Sequence, residues 1–81
     1  MNKINRQSLL DLIAVSHQLE GYSKKNIQEI QNHALRDPRG AVEMFSGMFA
    51  VLDDHQIPYR YEDGKIAFSA LATRLLKGPK K

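Results

Sequence analysis

Apolar and polar positions alternate with a helical period over most of the chain. Leu9, Leu12, Ile13, Ser16 and Leu19 recur at helical spacing, which predicts a helix from about Asn5 or Ser8 to Glu20 with that stripe turned to a core. Ser8 followed by Asp11 fits a capping box at its start, and Gly21 supplies the stop. A second helix opens at Ser23 as N-cap and carries a narrow stripe of Ile27, Ile30 and Ala34. Asp37-Pro38 is a fresh N-cap followed by proline at the first helical position. From Ala41 to Leu52 the chain is apolar on nearly every side, so this third helix must be wrapped by neighbours or by a second copy. Ser46-Gly47 lies in its middle. Either another backbone approaches closely at Gly47, or the segment is two short helices with a turn between them.

The period then changes from helical to alternating. Tyr59-Arg60-Tyr61-Glu62 and Lys65-Ile66-Ala67-Phe68 flank Asp63-Gly64, a pair that readily takes the positive φ angles of a type I′ turn. Counting outward pairs Glu62 with Lys65, Tyr61 with Ile66 and Tyr59 with Phe68. Tyr59, Tyr61, Ile66 and Phe68 then share an apolar face, and Arg60, Glu62, Lys65 and Ala67 the other. Ser69 caps a final short helix through Leu71, Leu75 and Leu76, ended by Gly78 and Pro79. The expected fold is α+β, mainly α: three helices, one β-hairpin and a short C-terminal helix around a single core. Residues 1–78 are expected to form one small domain, with 79–81 a flexible basic tail.

Composition narrows the class of protein. The 81 residues hold no cysteine, which removes disulfides and thiolate metal sites. A chain this short hides about 60 to 65% of its unfolded surface, leaving little room for a deep catalytic cleft. Its longest apolar runs fall short of the roughly 18 residues needed to cross a bilayer. Leu9 to Val15 is interrupted by Asp11 and lacks a small-residue cleavage site, so a signal peptide is not predicted. The expectation is a soluble cytoplasmic protein with no membrane partner.

The net charge of +3 is unevenly spread. Residues 1–36 carry +2, residues 37–56 carry −3 and residues 57–81 carry +4, so charge is sorted by element. Catalytic candidates are few. His17, His33 and His55 lack metal-ligand spacing, and Asp53-Asp54-His55 are helix neighbours that diverge by about 100° each. There is no phosphate-binding glycine loop and no nucleophile elbow. The protein is expected to be no enzyme and to need no cofactor or metal.

Binding surfaces are better represented. Lys24, Lys25, Gln28, Gln31 and Asn32, with Arg36 at the end, form a polar second-helix face able to neutralise phosphates and reach base edges. The turn Gly21-Tyr22-Ser23 places that helix in a helix-turn-helix-like arrangement. Gln56 to Arg60, a turn, Lys65 to Ser69 and a leucine-bearing helix together resemble the wing and final helix of small winged-helix DNA-binding proteins, including the excisionase type. The resemblance covers about 25 of the 81 residues. It implies a recognition helix over Met48 to Gln56 and backbone contacts from Arg60 and Lys65. Phe49, Val51, Leu52, Asp53 and Asp54 depart from that pattern, being apolar or acidic where phosphate should lie. The expected partner is duplex DNA, in a regulatory role. The alternative is a protein-binding inhibitor or adaptor that uses the hairpin face or the third helix, where Met44, Phe45, Met48 and Phe49 make an adaptable surface for a larger protein or a homodimer seam.

Overall fold

In the computed structural model, which describes residues 4–76, helix α1 (Arg6–Leu19) is the central element. Helix α2 (Lys24–Arg36), helix α4 (Phe45–Asp54), strand β2 (Lys65–Phe68) and helix α5 (Ala70–Leu76) all pack on it, while the short α3 (Pro38–Glu43) joins α2 to α4. Among the described residues, strand β1 (Tyr59–Glu62) pairs with β2 alone. Helices take up 68% of the structure beside this two-stranded sheet, so the class is α+β, mainly α, as the pattern predicts. The expected helix stop at Gly78-Pro79 and the tail at 79–81 lie outside the described residues.

The breadth of the apolar stripe on α1 explains its position. Leu9, Leu12, Ile13 and Val15 are all buried, together with Ser16, whose hydroxyl donates to the Ile13 carbonyl. Val15 widens the stripe beyond the expected set, which is why neighbours fit on several sides. Ile27 and Ala34 of α2, Met48 and Leu52 of α4, Ala41, Ile57 and Ala72 complete one core.

Two features differ at the start of α1 and within the third helical segment. Asn5, not Ser8, is the N-cap: its side chain accepts from the Ser8 N–H at 3.2 Å. Ser8 is inside the helix and buried, and its hydroxyl accepts from the Ile66 N–H at 3.0 Å. The third segment is two helices, so the described residues contain five in all, and the break falls at Met44 rather than at Ser46-Gly47. There the Met44 N–H bonds Ala41, three residues back, before α4 resumes. Gly47 sits in the first turn of α4, and a Cβ there would meet nothing within 4 Å. No close backbone approach requires it.

Local chemistry elsewhere follows the pattern. Helix α1 ends in a Schellman motif: Gly21 has φ +90, the Tyr22 N–H bonds the His17 carbonyl and the Gly21 N–H bonds Gln18. The His17 and Tyr22 rings meet edge to face at 4.9 Å across this cap. Ser23 caps α2 by accepting from Asn26, and Asp37 caps α3 by accepting from Gly40. A Cβ on Gly40 would lie 2.6 Å from an Asp37 carboxylate oxygen, so only glycine leaves that cap undisturbed. Helix α4 ends in a second Schellman motif, with Ile57 bonding Leu52 and Gln56 bonding Asp53. Its left-handed position is held by Gln56 at φ 58, where glycine is the usual occupant.

The hairpin has the expected register, Tyr59 opposite Phe68, Arg60 opposite Ala67, Tyr61 opposite Ile66 and Glu62 opposite Lys65. Asp63 and Gly64 take φ 52 and 77, the signature of a type I′ turn. Its predicted apolar face is the half-buried one, except that Tyr61 at the turn end is exposed. Ser69 caps α5 by accepting from Ala72, but the expected leucine stripe shifts there. Leu71 is 47% exposed and Ala72, fully buried, takes the core position.

Candidate interaction groove

A groove runs along one side of the molecule between the C-terminal half of α1, the middle of α2 and the α3–α4 junction. It consists of two hollows of about 310 and 460 Å³ that share His17, Tyr22 and Met44. The smaller continues over Ser16, Gly47, Met48 and Val51, and the larger over Ile30, Ala34, Gly40 and Ala41. Each wall has a local cause. The α1 cap fixes His17 against Tyr22, and the break at Met44 turns that flexible side chain between the two hollows. Ala34 and Ala41 are small enough to leave space above them.

The charge of the groove is one-sided. Glu20 lines the smaller hollow, Glu29 and His33 line the larger, and among the described residues neither hollow is lined by lysine or arginine. The Nδ1–H of His17 donates to the Ile13 carbonyl at 2.8 Å, which leaves Nε2 as its acceptor position when the ring is neutral. The groove is therefore apolar at its base and acidic at its edges.

The four Met and Phe side chains do not form one surface. Met48 is buried in the core and Met44 lines the groove, whereas Phe45 and Phe49 lie on the other flank of α4, toward the hairpin. There Phe49 stacks on Tyr59 at 5.0 Å and leans on Tyr61 at 5.6 Å. Burial, followed by the charge and acceptor oxygen of Asp53, holds the Tyr59 phenol above its ordinary pKa.

Of the second-helix set, Lys24, Lys25, Gln28 and Asn32 are exposed. Gln31 is half-buried, and its amide donates to the Leu10 carbonyl at 2.8 Å, fastening α2 to α1. Glu29 lies on the same outer side. Arg60 and Lys65 stand on the hairpin, which packs on the N-terminal end of α1 through Ser8, and Arg60 is 3.6 Å from Glu62. They form no single patch with Lys24 and Lys25, which sit just after the other end of α1. Residues 48–56, expected from the resemblance to be a recognition helix, fall on α4 and its exit, and the exposed residues of α4 are Ser46, Gly47, Ala50, Asp53 and Asp54.

Of the 12 basic residues, Lys3, Lys77, Lys80 and Lys81 lie outside the described part, leaving eight against nine acidic ones within it. The chain's positive excess therefore comes from those four lysines.

Asp53, Asp54 and His55 do not converge. Asp53 serves Tyr59, and the His55 Nδ1–H donates to the Val51 carbonyl at 3.0 Å. Among the described residues, no group of three His, Asp or Glu side chains is arranged to hold a metal ion, and no helix is long and apolar enough to cross a membrane.

His17, Tyr22, Ile30, Ala41 and Val51 have no periodic signal that marks them as a site. The signal that could have singled out Tyr22 is a large aromatic residue in an otherwise polar turn. No protein-family model matches the chain, and no curated protein and no solved structure matches it.

Proposed function

We propose that the protein is a non-enzymatic protein-binding module, an inhibitor or adaptor, whose groove receives an amphipathic helix carrying basic residues beside its apolar anchors. The observation that carries this reading is the pairing of an apolar base around Met44 with acidic edges at Glu20 and Glu29. Helix-in-groove recognition needs anchor side chains spaced about one turn apart, and two adjoining hollows divided by one methionine suit two such anchors. Methionine adapts its shape to what it meets. Basic residues on the incoming helix complement the two glutamates and oppose binding of acidic competitors.

The test uses a synthetic helical peptide with leucines at i, i+3 and i+7 and lysines beside them, and an otherwise identical peptide with glutamates. Saturable methyl shifts at Met44, Ile30, Ala41 and Val51 are expected with the lysine peptide only. They should be lost in Met44→Lys, which places a charge between the two hollows. Equal binding of both peptides, or shifts confined to the hairpin, would overturn the reading.

A second reading is favoured by a separate observation. Lys24, Lys25, Gln28 and Asn32 are exposed together, and the two lysines occupy the first turn of α2, where the helix dipole disfavours positive charge. Duplex DNA would supply the compensating anion, with phosphate neutralisation at the lysines and groove contacts from Gln28 and Asn32. Arg60 and Lys65 would then need a separate stretch of backbone.

A further inference from the structure

We infer that strand β1 is a self-pairing edge, through which two copies of this chain join their hairpins into a four-stranded antiparallel sheet. Three observations lead there. In a hairpin with a two-residue turn, the pair next to the turn exchanges backbone hydrogen bonds and the next pair does not. Glu62 with Lys65 and Arg60 with Ala67 are thus bonded across the ladder, while Tyr61 and Ile66 turn their N–H and C=O groups outward. The Ile66 N–H confirms this phase, since it leaves the sheet to reach Ser8, and so does the Ser69 N–H, which bonds the Pro58 carbonyl as the next bonded pair requires.

The two edges are treated differently. On β2 the outward Ile66 N–H is taken up by α1. On β1 the outward groups of Tyr59 and Tyr61 have no partner among the described residues, and the strand is exposed from Arg60 to Glu62. An open row of this kind is a template for another strand.

Charge then selects the occupant and the register. Pairing through outward groups can set Tyr61 opposite Tyr61, Tyr59 opposite Tyr61, or Tyr59 opposite Tyr59. The second sets Arg60 against Arg60 of the other copy, which is repulsive, and the third sets it against the uncharged Pro58. The first sets Arg60 of each copy against Glu62 of the other, twice, about a two-fold axis at Tyr61. These pairs fall at non-hydrogen-bonded positions, where side chains across the ladder are closest. Within one chain Arg60 and Glu62 are already 3.6 Å apart on the solvent face, so four charges form one alternating network. The two Tyr61 rings meet on the opposite face, continuous with Phe49 and Tyr59 of each copy. Asp63, at φ 52, leaves the extended conformation and ends the match, so the contact is short and the dimer concentration-dependent.

Sedimentation equilibrium from micromolar to millimolar protein tests this. The wild type should rise from the 9.2 kDa monomer toward twice that mass. Arg60→Glu and Glu62→Arg should each raise the dimer dissociation constant by about tenfold or more, and the double exchange R60E/E62R should restore it. In the wild type, amide exchange at Tyr61 should slow as concentration rises, a readout independent of the folding of any variant. A wild type that stays monomeric, single variants that dimerise normally, a double exchange without rescue, or Tyr61 exchange that ignores concentration would each overturn the inference.

Discussion

Ser8 on the first helix accepts a hydrogen bond from the Ile66 N–H on the last strand, at 3.0 Å and across 58 positions of sequence. It is the polar fastening between the hairpin and the helical core, joined by the bond from the Asn5 N–H to the Gly64 carbonyl. Ser8→Ala removes the acceptor and leaves a partly buried amide unsatisfied. The expected loss is about 1–3 kcal/mol in urea unfolding, with faster amide exchange at Ile66 before the rest of the fold. If Ile66 kept its protection in this variant, Ser8 would not be what holds the hairpin.

The two Schellman caps predict opposite effects of substitution. At Gly21, φ +90 forces alanine into a disfavoured conformation, so Gly21→Ala should cost about 1–2 kcal/mol. At Gln56, φ 58 already carries that strain, and Gln56→Gly should stabilise by about 1 kcal/mol or less after the entropy of glycine is counted. Thermal melts of the two variants are expected to move apart from the wild type in opposite directions.

Alkaline stability depends on Tyr59. Burial and the Asp53 carboxylate raise its pKa in the folded protein, so the folded state holds the phenolic proton where the unfolded chain has lost it. Its stabilising contribution is complete below the unfolded pKa near 10.0 and is lost as pH rises through the higher folded value. Tyr59→Phe should flatten the fall in stability that begins near pH 10.0 and continues through the higher folded value, measured by denaturant midpoints at stepped pH. An unchanged slope would mean that the phenol does not titrate differently in the two states.

Burial separates two leucines that the sequence treats alike. Leu12 is fully buried at the centre of α1 and Leu71 is 47% exposed on α5. Leu12→Ala is expected to cost about 2–5 kcal/mol, and Leu71→Ala to stay within about 0.5 kcal/mol. A large effect at Leu71 would indicate that its exposed side chain is covered in solution.

Lys24→Ala with Lys25→Ala should weaken duplex binding across sequences and lower the salt slope by about one or two. If the wild type does not retard duplex DNA at low salt, the reading is excluded. A protein that binds both DNA and the lysine peptide would instead have to use separate faces.

Features that depend only on neighbours along the chain were legible from the residues. Alternation around Asp63-Gly64 set the hairpin's register and its apolar face, because side-chain period and turn chemistry are both local. Ser23, Asp37 and Ser69 marked helix starts, since a cap bonds an N–H only three residues away. Asn5 was legible only as an alternative to Ser8, because both can cap and only the approach of Ile66 gives the serine another partner. Contacts between distant segments settled the remainder. The groove joins residues from α1, α2, α3 and α4, and no periodicity within one helix announces what two others leave uncovered. Gln31 was legible as polar but not as a bond to Leu10, and the Met and Phe residues of the third segment as apolar but not as divided between core, groove and hairpin flank. Which face of an apolar helix is hidden depends on where its neighbours dock, and that is settled by packing across the whole chain.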